Sequence, residues 1–336
     1  MFKTKATATD TSFLLTITIV VFFVMYLLAI IFIGKGFTNA QTLLDMIGSN
    51  AGLIIVAVGM SVVMINGGID ISVGGVVSLV AMACADYLDH KGGNIFGAIL
   101  IALGIGLAYG LVQGYLVAYL NIQPFIISLA GMFFARGMTT IISSQSFNVE
   151  HAAFVALKDT RIVVPFLGHY SKNGKFIPGE VEIGALIALF VVILFFYILK
   201  WTSIGRSFYA IGGNQQSALM LGINVKRTRF TAHMLCSFLA GVGGFVYFMH
   251  YGSGSALNAS GMEMDAIASS IIGGTMLTGG VGNIIGTLFG VLSLSTIKKI
   301  VNTVGLGDAW WTGITVAAML CIFLIVQSVV VGRKKK

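Results

Sequence analysis

Uncharged apolar runs long enough to cross a bilayer recur from one end of this chain to the other, and that repetition excludes most ways a polypeptide can fold. They cover residues 11–34, 46–69, 71–85, 92–135, 183–199, 230–262, 266–297 and 309–332. A transmembrane helix needs about 20 mostly apolar residues. Only 10% of the 336 residues are charged, against roughly 25% in a soluble domain. A surface so poor in charge cannot face water, so the solvent for most of the chain is lipid. The 43 glycines accompany only 3 prolines, which suits close helix packing in a bilayer and argues against a proline-rich disordered chain.

Run 92–135 is long enough for two helices at about 1.5 Å per residue. Asn121, Gln123 and Pro124 supply the break, with Pro124 carrying most of it. Run 266–297 likewise splits at the glycine cluster 279–282. Run 71–85 is short enough to be a re-entrant or partial helix, and Arg136 interrupts the fifth span. The expected fold is an all-α, polytopic membrane domain over residues 1–336 with about ten spans. Lys3 and Lys5 precede the first run. That run is longer than the roughly 7–15 residues of a signal-peptide core and lacks an Ala-x-Ala site, so it reads as a retained span.

Orientation follows from the basic segments. Lys200, Arg206, Lys226, Arg227 and Arg229 occur without an acid between them, and the tail ends in Arg333, Lys334, Lys335 and Lys336. Both are expected on the cytoplasmic side. Segment 146–182 has balanced charge, Lys158, Arg161, Lys172 and Lys175 against Glu150, Asp159, Glu180 and Glu182, and is expected outside. The net charge of +8 is explained by such loops more simply than by nucleic acid.

A ladder of small residues, Ala102, Gly106, Gly110, Gly114 and Ala118, marks the fourth span, and Gly282, Gly286 and Gly290 repeat it in the ninth. Such ladders let backbones approach closely, and spans five apart point in opposite directions, as an inverted repeat requires.

The chain lacks the phosphate-binding Gly-x-x-x-x-Gly-Lys-Ser/Thr, His-Glu-x-x-His and Gly-x-Ser-x-Gly patterns, so no catalytic, cofactor or metal residues are expected. Cys84, Cys236 and Cys321 sit in apolar runs without metal-ligand spacing and read as small buried hydrophobes. His233 and His250, near the two ends of one span, read as helix-end polar groups. Asp70 and Arg136 are the ionisable residues near membrane depth, where a charge costs about 2.5–3.5 kcal/mol on insertion scales and is a functional candidate. Asp70 lies in Asn66-Gly67-Gly68-Ile69-Asp70-Ile71-Ser72-Val73-Gly74-Gly75. The glycines break the helix, and Asp70 or Ser72 caps the next one. Irregular backbone at depth needs protein or a wet cavity around it. That places Asn66, Asp70 and Ser72 beside a solute pathway; the rival reading is a plain cytoplasmic turn with a capping Asp.

Segment 201–229 carries a second candidate. Asn214 is a good N-cap and Gly222 a good C′ residue, so residues 215–221 are expected to form a short cytoplasmic helix. It is too short to span anything. Its Ala218, Leu219 and Leu221 suit burial at a partner, and Gly213 is a candidate for a positive φ.

Three stretches together, NGGIDISVGG at 66–75, YAIGGNQQSALMLG at 209–222 and DAIASSIIGGTMLTGGVGNIIGTLFG at 265–290, resemble the permease family of ribose- and galactose-type ABC importers. LAGMFFARG at 129–137 adds to them, and its first residues with Trp310-Trp311 are similar to the galactofuranose-importing kind. The resemblance covers nearly the whole chain from about residue 50. It implies a type II-like ABC importer permease for a monosaccharide in the bacterial cytoplasmic membrane. It also implies a second permease, homologous or identical, a cytoplasmic ATPase and an extracytoplasmic sugar-binding protein. Gly212, Gly213 and Asn214 would then lie in the loop that meets the ATPase, joined by Ala218, Leu219 and Gly222. Two rivals stand beside this reading. An ion-coupled secondary transporter of a small polar solute needs an acidic or histidine relay within its spans, for which Asp70 is the one candidate. A membrane-embedded enzyme needs clustered carboxylates, histidines or cysteines there.

Overall fold

The computed structural model describes residues 8–34, 36–170, 176–303 and 309–332. In chain order they form α1 (Ala8–Ile33), α2 (Ala40–Ser49), α3 (Ala51–Ile65), α4 (Val73–Asp89), α5 (Ile95–Ala118) and α6 (Pro124–Ile142). There follow β1 (Phe147–Asn148), α7 (Ala152–Asp159), β2 (Arg161–Tyr170), β3 (Phe176–Glu182), α8 (Ile183–Trp201), α9 (Ser203–Gly213) and α10 (Gln215–Met220). The last elements are α11 (Val225–Tyr251), β4 (Ser253–Gly254), α12 (Met262–Ile272), α13 (Ile284–Thr303) and α14 (Ala309–Gly332). The tail cations Arg333 to Lys336 lie outside the described residues, as do Lys172 and Lys175.

α3 is the axis: it is apolar on all sides, and all 15 of its residues are buried. A helix without a polar stripe must be enclosed, and α8, α11, α12 and α13 pack around it. The outer helices turn large apolar side chains such as Phe23, Phe32, Phe96, Phe133 and Phe190 outward, as lipid requires. Among the described residues six helices (α1, α5, α6, α8, α11 and α13) are long and apolar enough to cross a membrane, and α2 with α3, bent by 61°, adds a seventh if the pair is one span. α4 has 17 residues and α12 only 11. Each apolar run of the sequence holds a helix, but these two are partial.

Several boundaries differ from expectation. α6 begins at Pro124 as expected and carries Arg136 within it, ending at Ile142. α11 starts at Val225, capped by Asn224, and stops at Gly252, whose φ of 68° only glycine adopts freely. The apolar run then continues to residue 261 without helix, a point that composition alone does not reveal. The gap between α12 and α13 spans residues 273–283, wider than the 279–282 cluster.

Both glycine ladders bring backbones together. A Cβ on Gly106 would stand 2.9 Å from Gly241 Cα, and one on Gly110 2.7 Å from Met234 O, joining α5 to α11. On α13, a Cβ at Gly286 or Gly290 would fall on the carbonyls of Gly273 and Ser269. Cys84 and Cys236 are buried, whereas Cys321 is exposed.

Segment 146–182 is more than a loop. β1 pairs antiparallel with β4, and β2 with β3, the latter ladder shifting register between Val164 and Gly168. α2 closes on this hairpin: Gln41 Nε2 donates to Glu180 O and its Oε1 accepts from Glu180 N, both at 2.9 Å. Glu182 binds Arg161 at 3.2 Å and His250 Nδ1 at 2.8 Å. The 19 residues of α8 run between the caps Glu182 and Thr202, so the hairpin and α9–α10 occupy opposite ends of the bundle.

Candidate functional site

The three sequence stretches singled out above converge at the α9–α10 end. Gly67 follows α3, Gly212 lies in the last turn of α9, and Gly279 and Gly280 lie in the turn before α13. A Cβ on Gly279 would stand 2.9 Å from Gly67 Cα and 3.0 Å from Gly212 Cα. Gly280 N donates to Ile65 O at 2.8 Å, and the Tyr209 hydroxyl donates to Gly282 O at 2.9 Å. Burial pushes the Tyr209 phenol up to about 12, so it remains a donor. Gly67, Gly279 and Gly280 all have positive φ, and none carries a side chain to hold the segments apart.

α10 is built by its caps. Asn214 Oδ1 accepts from Ser217 N at 2.9 Å, the N-cap expected from the sequence. At the other end Ile223 N donates to Ala218 O and Gly222 N to Leu219 O, with Gly222 at φ 78°, which together make a Schellman motif. Two expectations need correction. Gly213 has no positive φ and a Cβ there would meet nothing within 4 Å; the crowded position is Gly212, whose Cβ would fall on Ile65 O and 2.5 Å from Gly280 N. Ala218 is buried within the chain, so the free apolar patch is Leu219, Met220 and Leu221, exposed by 59%, 86% and 78%. Beside it a groove of about 510 Å³ is lined by Asn121, Gln215, Leu219, Lys226 and Arg229 among others. α9 was not expected as a helix; Thr202 caps it, accepting from Gly205 N at 3.2 Å, and Phe208 and Ile211 anchor its buried face.

The Asp70 cluster lies deeper. Asp70 and Ser72 are fully buried and Asn66 is 5% exposed. Asp70 Oδ1 accepts from Ser72 N at 3.0 Å and from Ser72 Oγ at 2.6 Å, while its Oδ2 accepts from Ser237 Oγ at 3.2 Å. Gln113 Nε2 of α5 donates to Ser72 Oγ at 2.8 Å. The carboxylate thus ties the start of α4 to α11, and through Ser72 to α5. His233 is not a helix-end group but is buried beside this cluster, its Nε2 3.1 Å from where a Gly68 Cβ would be. Asn66 Oδ1 is buried without a hydrogen-bond partner among the described residues. Among the described residues no group of three or more His, Cys, Asp or Glu is placed to hold a metal ion.

The comparisons with known proteins agree on one family. A family model described as branched-chain amino acid transport system / permease component matches residues 42–324. The chain is 37% identical over 313 residues to the inner membrane ABC transporter permease protein YjfF of Escherichia coli K12, covering 93% of this chain and 91% of that protein. It is 34% identical to the fructose import permease protein FruG of Bifidobacterium longum, over 97% of this chain and 95% of that one. To the ribose import permease protein RbsC of Escherichia coli K12 it is 32% identical, over 82% and 81%. No solved structure matches the chain.

Proposed function

The chain belongs to the branched-chain amino acid transport system / permease component family, and on that premise we propose that it is the membrane-spanning permease of an ATP-driven sugar importer. The observation that carries the reading is the junction of Gly67, Gly212 and Gly279 behind an exposed, doubly capped α10. Relatives whose names state ribose and fructose import support a monosaccharide as cargo, and the sequence resemblance at residues 129–134 and Trp310-Trp311 is the ground for a galactofuranose-like one. ATP hydrolysis belongs to a separate cytoplasmic subunit, a second permease completes the pathway, and an extracytoplasmic binding protein delivers the sugar. Asn66, Asp70 and Ser72 serve that pathway as positioning residues, because all three are buried.

In this reading α10 enters a cleft of the ATPase with Leu219, Met220 and Leu221 foremost. Losing an N-cap costs about 0.5–2 kcal/mol, which frays a helix of 6 residues. Asn214→Ala is therefore expected to weaken retention of the ATPase by roughly two- to thirtyfold, with membrane insertion unchanged and Asn214→Asp close to wild type. Co-purification of the ATPase with each variant measures it. Full retention by Asn214→Ala would leave α10 an ordinary surface turn.

The reading also fixes a topology, with α9–α10 in the cytoplasm and the β2–β3 hairpin outside. Met220→Cys and Asp159→Cys, each in a chain whose own cysteines are replaced, sit at exposed positions of the two ends. An impermeant maleimide applied to intact cells should label Asp159→Cys and spare Met220→Cys until the membrane is opened. The reverse pattern inverts the protein and removes α10 from any ATPase.

A further inference from the structure

Beyond Gly252 the chain does a thing that its apolar composition conceals: it turns back into the bundle without helix. Gly254 packs against Ala85 and Met82 of α4, Ser78 Oγ donates to Ala256 O at 3.4 Å, and Gly74 lies against Ala259 O. From residue 85 to residue 74 of α4 is about 16 Å at 1.5 Å per residue, so the segment descends deep into the membrane before α12 begins. Backbone carbonyls at that depth need partners. Arg136 supplies them. It sits about 18 Å along α6 from Pro124, and its Nη1 donates to Ala256 O at 3.2 Å and Asn258 O at 2.6 Å while Nη2 donates to Ala259 O at 3.0 Å.

The face this segment presents is unlike the rest of the outer surface. Leu257 is 81% and Met264 57% exposed, but Ser260 is exposed beside them, and Asn258, Glu263 and Asp265 are half-buried. Lys298 of α13 reaches Asp265 at 2.5 Å on the same face. Irregular backbone with open polar groups at depth is tolerated only where it borders protein or water, not lipid.

We propose that residues 255–264 form one wall of the water-filled solute pathway, facing the second permease, and that Arg136 is the positioning residue that holds this wall in shape. The proposal rests on the importer reading above. Hydroxyl and amide groups at Ser260 and Asn258 suit a neutral, polyhydroxylated solute. The guanidinium suits the task because its rigid planar fork holds three carbonyls from two separate nitrogens, whereas an ammonium gathers its donors on one nitrogen at the end of a flexible stem.

The test uses the assembled transporter, permeases with ATPase, in proteoliposomes. Leu257→Cys and Met264→Cys, and as a lipid-facing control Phe190→Cys, are each placed in a chain whose own cysteines are replaced and exposed to a charged methanethiosulfonate. The two wall positions should react at least about tenfold faster than the control, because a thiol in water ionises and one in lipid does not. Rates equal to the control overturn the wall. Arg136→Lys should change the Leu257→Cys rate while ATPase retention stays normal; an unchanged rate removes Arg136 from the proposal. If Arg136→Lys does not assemble, the Leu257→Cys and Met264→Cys rates in otherwise wild-type chain still decide the wall. Since the reagent reports water and not cargo, this result stands or falls apart from the sugar assignment, which uptake by the same proteoliposomes addresses.

Discussion

Gly212→Ala is expected to abolish both stable assembly and transport, while Gly213→Ala, one residue away, leaves both near wild type. The methyl at 212 would fall on Ile65 O and 2.5 Å from Gly280 N, the two atoms joined by a 2.8 Å hydrogen bond. Neither neighbour is a flexible side chain that can swing aside. Relief requires moving the end of α3, which is buried throughout, or the turn before α13. Overpacking of this kind costs typically about 1–3 kcal/mol, and more where backbone must shift. At 213, the last residue of α9, a methyl meets nothing within 4 Å and reduces backbone freedom in the unfolded chain, so no loss of stability is expected. Thermal unfolding of the two variants in detergent, with ATPase co-purification, compares them directly. Equal behaviour would mean that the junction of the three glycine segments is loose, and that α9 does not pass motion to α3 through it.

The contrast between these neighbouring glycines marks where sequence reading stops. The cap at Asn214 and the C′ glycine at 222 were legible because both are local: a side chain meets an amide three residues on, and a positive φ ends a turn. Which of Gly212 and Gly213 faces Ile65 depends on a partner nearly 150 residues away, which no window over residues 209–222 contains. For the same reason Ala218 and Leu219 looked alike as apolar residues, yet one is buried and the other exposed. α9 could have been found, since Thr202 precedes Ile204, Phe208 and Ile211 at helical spacing. The hairpin was harder, because Pro165 and Gly168 interrupt an otherwise strand-like stretch at its register shift. The eight apolar runs were readable because lipid imposes its length on a span, but the expected count of about ten was not, because α4 and α12 are shorter than the bilayer. The descent of residues 252–261 was not readable either, because lipid-compatible composition is the same for a helix and for a series of turns tucked against α4. Arg136 was the available signal there: a charge retained at depth implies something polar for it to hold.

Asp70→Ala is expected to destabilise the protein severely, and Asp70→Asn to preserve it. The carboxylate is fully buried and accepts from Ser72 N, Ser72 Oγ and Ser237 Oγ. Truncation leaves these donors without their acceptor in a site water does not reach, at about 1–3 kcal/mol for each group left unsatisfied. It also frees the start of α4, which Ser72 links onward to Gln113. Asparagine keeps Oδ1 where Ser72 needs it and turns an amide donor toward Ser237 Oγ, whose lone pairs can accept. It also removes the cost of burying a charge that no cation in the cluster pairs. Asp70→Asn should therefore assemble normally and transport within a factor of about ten of wild type, the worth of one ordinary hydrogen bond. Asp70→Ala should fail to accumulate in the membrane or melt well below wild type. Transport lost equally in both variants, with Asp70→Asn folded and bound to the ATPase, would show that the charge itself is needed. The cluster would then be part of an ion-coupled relay, with His233 as its neighbour, rather than the clamp that fixes α4.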